Sequence, residues 1–162
     1  MDWQGHNRWA KKLGISEEVA QSVNRIIDER DSSTLPEEYC NIVSQVARQF
    51  QTSEGAKSGN SALHMVISKN VKESHDAGRR KTTRGDIAAE INKKAMREMG
   101  EDYLKAWYLH HHLDYLSENK NRGKSVEELL SEHKNQYPKT HSRNIRDFLL
   151  EEKNEIRSEL DI

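Results

Sequence analysis

The first large apolar residues, Trp3, Trp9 and Leu13, recur at a spacing compatible with a helix, and Asp2 stands where an N-cap would start it. Gly14 follows where a left-handed residue would close that helix, and Ser16 restarts the chain. Val19, Val23, Ile26 and Ile27 fall at i, i+4, i+7 and i+8, the stripe of a helix lying on a core. Residues 31–34 are turn material, and Pro36 suits the first turn of a third helix whose face is Val43, Val46, Ala47 and Phe50. Cys40 shares that face and reads as a small buried apolar residue. The polar, Gly-containing stretch 51–60 is expected to be a loop.

Leu63, Ile67, Val71 and His75 step by four along a fourth helix that Gly78 would end. Thr83 with Asp86 forms the capping box of a fifth, which packs through Ile87, Ile91 and Ala95 and closes at Gly100. Over 101–117 the pattern changes. Leu104, Trp107, Tyr108, His111 and Tyr115 cover one side while Ala106, Leu109, Leu113 and Leu116 cover another, and a helix apolar nearly all round is a central one. After a polar linker at 119–124, Ser125 with Glu128 opens a further helix that ends by Tyr137 and Pro138. The last segment, about 142–160, carries Ile145, Phe148, Leu149, Ile156 and Leu160. No stretch alternates long enough to make a strand. The expected fold is all-α: a compact helical bundle of about six helices over 1–118, and a two-helix C-terminal arm over 119–162 that docks on the body or on another subunit.

Composition sharpens this picture, because only 33% of the 162 residues are hydrophobic and another 33% are charged, against roughly 45–50% apolar in ordinary globular domains. So thin a core predicts support from outside, as a homo-oligomer or with a protein partner. The net charge of −1, from 26 basic and 27 acidic side chains, gives no global pull toward nucleic acid or an anionic membrane. Residues 1–14 lack an apolar run, and no stretch of about 18 apolar residues occurs, so a cytoplasmic protein without a membrane span is expected. Cys40 is the only cysteine, which excludes an internal disulfide and a cysteine-based zinc site.

Of the eight histidines, five fall at His64, His75, His110, His111 and His112. On a helix His110 and Asp114 lie one turn apart on the same side, with His111 three before Asp114, so these groups can converge on one point and ligate a divalent metal. The alternative is that these rings satisfy their nitrogens within the packed interior. His64 and His75 share a face but stand about 16 Å apart along the axis, too far to share an ion.

The run His75, Asp76, Ala77, Gly78, Arg79 reads HDAGR. In these residues the chain resembles the HD-domain superfamily of metal-dependent phosphohydrolases, helical proteins in which a first His, a His-Asp dyad and a distant Asp bind one or two divalent metals. The resemblance covers five residues plus one spaced acid. It implies that His75 and Asp76 are metal ligands with Asp76 also in the catalytic centre, that Asp114 is the distant carboxylate, and that Arg79 holds a phosphate oxygen. The upstream His is then either His6 or His64. Without a metal, His75 reads as a residue of the last helical turn interacting with the helix carbonyl end.

Arg79, Arg80, Lys81 and Arg84, with Thr82 and Thr83, lead into the start of the fifth helix and form a phosphate-binding candidate, since free amides and guanidinium groups cooperate in holding an anion. The alternative is a solvated basic turn. Two functions follow as expectations. One is an HD-like divalent-metal phosphohydrolase, or an inactive metal-binding derivative, acting on a phosphorylated small molecule or nucleotide; the other is a helical adaptor that binds nucleic acid or a protein through the basic turn 79–84 and the arm.

Overall fold

A computed structural model describes residues 1–29, 32–54, 87–118, 123–133 and 141–160. Helix α1 spans Trp3–Lys12, and the Asp2 carboxylate accepts the Gly5 amide at 2.8 Å as its cap. Its exit is a Schellman turn: Gly14 N–H donates to the Lys11 carbonyl and Ile15 N–H to that of Ala10, while Ile15 and Ala10 are both buried. Gly14 adopts φ +83°, the left-handed conformation this turn requires. Helix α2, Glu17–Asp28, starts with the Ser16 hydroxyl accepting the Val19 amide.

A 3-10 turn at Ser32–Thr34 leads to α3, Glu37–Glu54. That helix runs four residues into the stretch expected to be a loop, because Gln51, Thr52, Ser53 and Glu54 are polar without being helix breakers, and Gly55 is the first residue to oppose continuation. The helix expected over Leu63–His75 lies outside the described residues. Helix α4 is Ile87–Met99 and α5 is Glu101–Ser117. The arm contains α6, Val126–His133, then α7, His141–Glu151, and α8, Lys153–Leu160, which are separated by a turn at Glu152. Ser125 and Glu128 make the reciprocal capping box at the start of α6: Ser125 N–H donates to the Glu128 carboxylate at 2.8 Å and Glu128 N–H to the Ser125 hydroxyl at 3.2 Å. The described residues are helical throughout apart from caps and turns.

Helix α5 is central. It packs against α1, α2, α4, α6 and α7, and Leu104, Ala106 to Leu113 and Leu116 are all buried. One continuous apolar core runs from Trp9, Val23 and Ile27 through Leu109 and Leu113 to Ile145, Leu149 and Ile156, so the arm docks on its own body. Charged contacts seal that junction: Trp9 Nε1 donates to Glu159 at 3.0 Å, Arg8 pairs with the same carboxylate, and Lys12 reaches Glu152 and Glu155. None of the described helices is long and apolar enough to cross a membrane.

The hinge between α4 and α5 is Gly100, at φ +137° and ψ +164°. That region is essentially closed to side-chain-bearing residues. Gly100→Ala should therefore cost about 1–3 kcal/mol even though a Cβ would meet only the Tyr103 ring at 3.9 Å. Urea unfolding measures this, and a loss below half a kcal/mol would mean that the helices shift to relax the turn.

Candidate metal centre

Three helices bring polar side chains to one place beside the core. Helix α1 contributes His6 and Asn7; α2 contributes Asn24 and Asp28, one turn apart; α5 contributes His110 and Asp114, again one turn apart. The i, i+4 spacing aims each pair from its helix toward the same point. His6, Asn24 and His110 are buried, whereas Asp28 and Asp114 retain about a fifth of their surface in contact with solvent.

The rings of His6 and His110 stack at 3.8 Å, 17° from parallel. Each faces one oxygen of the same carboxylate: His6 Nε2 is 3.2 Å from Asp114 Oδ1 and His110 Nε2 is 3.3 Å from Asp114 Oδ2. His110 Nε2 also lies 3.6 Å from Asp28 Oδ2, which accepts a hydrogen bond from Trp3 Nε1 at 2.8 Å. The other nitrogen of His110, Nδ1, is 2.8 Å from Asn24 Oδ1, and Asn24 Nδ2 donates to Asn7 Oδ1 at 2.8 Å. The amino group of Met1 is 3.6 Å from Asp114 Oδ1 and donates to the Ser117 hydroxyl.

Although close, the Nε2 atoms of His6 and His110 do not meet hydrogen-bond geometry with the carboxylates. Donor atoms gathered around a point, rather than aimed at each other, are what an ion needs. One ring nitrogen of each histidine and an Asp114 oxygen all lie within 4.8 Å of one another. Ligand atoms at tetrahedral zinc distances would stand about 3.3 Å apart, close to the two nitrogen–oxygen separations observed here.

Protonation follows from the surroundings. Burial opposes charge on His110, yet the carboxylates of Asp114 and Asp28 outweigh it and raise its pKa above the ordinary 6.5. For His6 burial dominates and, helped by the positive charge of His110, lowers its pKa despite Asp114. Burial likewise works to raise the Asp114 pKa, but His110 and His6 hold that carboxyl far below the usual carboxylate range. A proton therefore goes to His110 before His6, and the lowered pKa of His6 favours its neutral ring, which keeps one nitrogen lone pair. The residues fit a divalent ion: two imidazoles and one carboxylate leave coordination positions open, as catalytic sites do, and imidazole donors favour first-row transition ions over calcium or magnesium.

Of the ligands expected from the sequence, His110 and Asp114 come together as predicted. His111 is buried on the same helix but stands edge-on to Trp107 at 5.0 Å and is not part of the cluster. His75, Asp76, Arg79, Arg80, Lys81 and Arg84 lie outside the described residues, as does His64. His6, one of the two alternatives for the upstream His, is the third member of the cluster. Asn24 and Asp28 were not singled out from the sequence. Their signal is a polar pair one turn apart on α2, with Asn24 set among Val23, Ile26 and Ile27 where an apolar residue belongs. No family model matches this chain, and no curated protein or solved structure shows significant similarity to it.

Proposed function

We propose that the protein is a divalent-metal phosphohydrolase of the HD-like kind, acting on a phosphorylated small molecule or nucleotide, with His6, His110 and Asp114 in its metal centre. The single observation that carries the reading is the convergence of His6 with Asp114: a first His and a distant Asp, 108 positions apart by their numbers, stand 3.2 Å apart in a cluster that also contains His110. In the HD pattern these are the outer members of the ligand set, and His75 and Asp76 would complete it. A divalent ion held there supplies a Lewis acid and an activated water for attack on a phosphoester. His6 and His110 would each give a ring-nitrogen lone pair, Asp114 would offset the ion's charge, and Asp28, held by Trp3 and 3.6 Å from His110 Nε2, is a further carboxylate able to take a proton. Arg79, with Arg80, Lys81 and Arg84, would neutralise the phosphate.

The rival reading is an adaptor that binds nucleic acid or a protein through the basic turn and the arm. It is weakened by the arm itself, whose Ile145, Leu149 and Ile156 are already buried against the body. Elemental analysis of protein equilibrated with Zn(II), Mn(II) and Fe(II), beside turnover of a generic phosphomonoester and of nucleoside monophosphates, separates the two. The expected result is at least one bound ion per chain, lost in His6→Ala and His110→Ala, with His75→Ala reporting whether the dyad joins. Wild-type protein that stays metal-free under all three conditions ends the enzymatic reading.

A further inference from the structure

We propose that Asn24 is the positioning residue of this centre: by accepting the Nδ1 proton of His110 it fixes the ring in one tautomer and presents Nε2 toward His6 and Asp114. The inference rests on the metal reading. Imidazole has one lone pair when neutral, and whichever nitrogen carries the proton cannot ligate. The 2.8 Å contact between His110 Nδ1 and Asn24 Oδ1 puts the proton on Nδ1, because an amide oxygen can only accept. Nε2 is left as the ligand atom, 3.3 Å from Asp114 Oδ2.

Asn24 is itself held. Its Nδ2 donates to Asn7 Oδ1, which orients the amide so that the oxygen faces His110. The Asn7–Asn24 bond also ties α1, which carries His6, to α2 at the level of the site. A buried amide on a helix whose Val23, Ile26 and Ile27 are also buried would be destabilising without partners, and here both ends of it are used. The result is a relay across three helices, Asn7 to Asn24 to His110, which ends at the proposed metal position. Outer-shell hydrogen bonds of this kind orient metal-ligating histidines and raise their basicity.

The test uses the full chain and Zn(II) alone. Asn24→Leu, which keeps the volume and removes the acceptor, should weaken Zn(II) binding by about 10–100-fold, while Asn24→Asp, which keeps the acceptor, should retain most of it. In the metal-free protein at about pH 9, where the His110 ring is neutral, nitrogen-15 NMR should show a protonated, slowly exchanging Nδ1 in wild type and Asn24→Asp, and loss of that signature in Asn24→Leu. A purely structural Asn24 would alter stability and leave the ring tautomer unchanged. If Asn24→Leu does not fold, Asn7→Ala, which frees the Asn24 amide to rotate, makes the same measurement. Wild-type protein that binds no Zn(II) overturns the centre itself, whereas a variant that keeps both wild-type affinity and the Nδ1 proton overturns the role of Asn24 alone.

Discussion

Asp114→Ala is expected to lower divalent-metal affinity by more than 100-fold and, in the metal-free protein, to cost about 3 kcal/mol near pH 5.5, with the cost shrinking as the pH rises. The loss of affinity follows from removing the carboxylate that, among the described residues, groups with His6 and His110. The stability loss follows from leaving the buried His110 imidazolium with Asp28 alone, 3.6 Å away, since breaking a buried pair strands a charge at about 3–5 kcal/mol. Its pH dependence has a definite sign. The His110 pKa is raised in the folded state, so the stability it contributes is full below its ordinary 6.5 and is lost as pH rises through the folded value. The Asp114 pKa is lowered, so its contribution is present above its ordinary 3.8 and is lost only in stronger acid. The pair thus matters most between those two values. His6, with its lowered pKa, works in the same direction, because without Asp114 a proton on that ring becomes still harder to accommodate as pH falls through 6.5. Urea denaturation of wild type and variant at pH 5.5 and 9 decides the matter; a difference that does not change with pH would show that His110 carries no charge in the folded protein.

The second large effect is expected at Trp9. This residue is fully buried where α1 meets the arm, its ring edge-on to Phe148 at 6.2 Å and its Nε1 bonded to Glu159. Trp9→Ala should cost about 3–5 kcal/mol through lost contacts and the cavity left behind. Because Trp9 lies three residues after His6, nearly one helical turn along α1, the same substitution should also weaken metal binding, by slackening the element that carries a ligand. Trp9→Phe, which keeps most of the volume but not the N–H, should recover most of the stability. Thermal unfolding followed by tyrosine fluorescence and circular dichroism gives the first number and Zn(II) titration the second. A Trp9→Ala protein that is destabilised yet binds Zn(II) as wild type does would disconnect the arm from the centre.

Much of the scaffold could be read along the chain because its signals are local. Asp2, Ser16 and the Ser125–Glu128 pair cap their helices as their positions suggest, Gly14 takes the left-handed turn, and the all-round apolar character of 101–117 marks the helix that its neighbours enclose. His110 and Asp114 were legible for the same reason, since four-residue spacing on one helix decides their proximity without any knowledge of the rest. His6 was not legible in that way. It is a lone histidine on a short amphipathic helix, and only the packing of α1 across α5 gives it a stacked partner and a carboxylate. Asn24 and Asp28 gain their meaning from the same crossing. The interruption of the last helical segment at Glu152 had no glycine or proline to announce it. His75 and Asp76, the residues that carry the HD resemblance, lie outside the described residues, so their part in the centre falls to the His75→Ala experiment.

The clasp between α1 and α8 also bears on how the molecule is made. Trp9 and Glu159 are separated by 150 positions, so during synthesis the indole waits for a partner that leaves the ribosome roughly 8 to 30 s later. Through that interval α1 cannot bury its tryptophan in its final setting. A yield that falls when α8 is deleted is the expected counterpart of a bundle whose α1 is sealed by a helix 150 positions further along the chain.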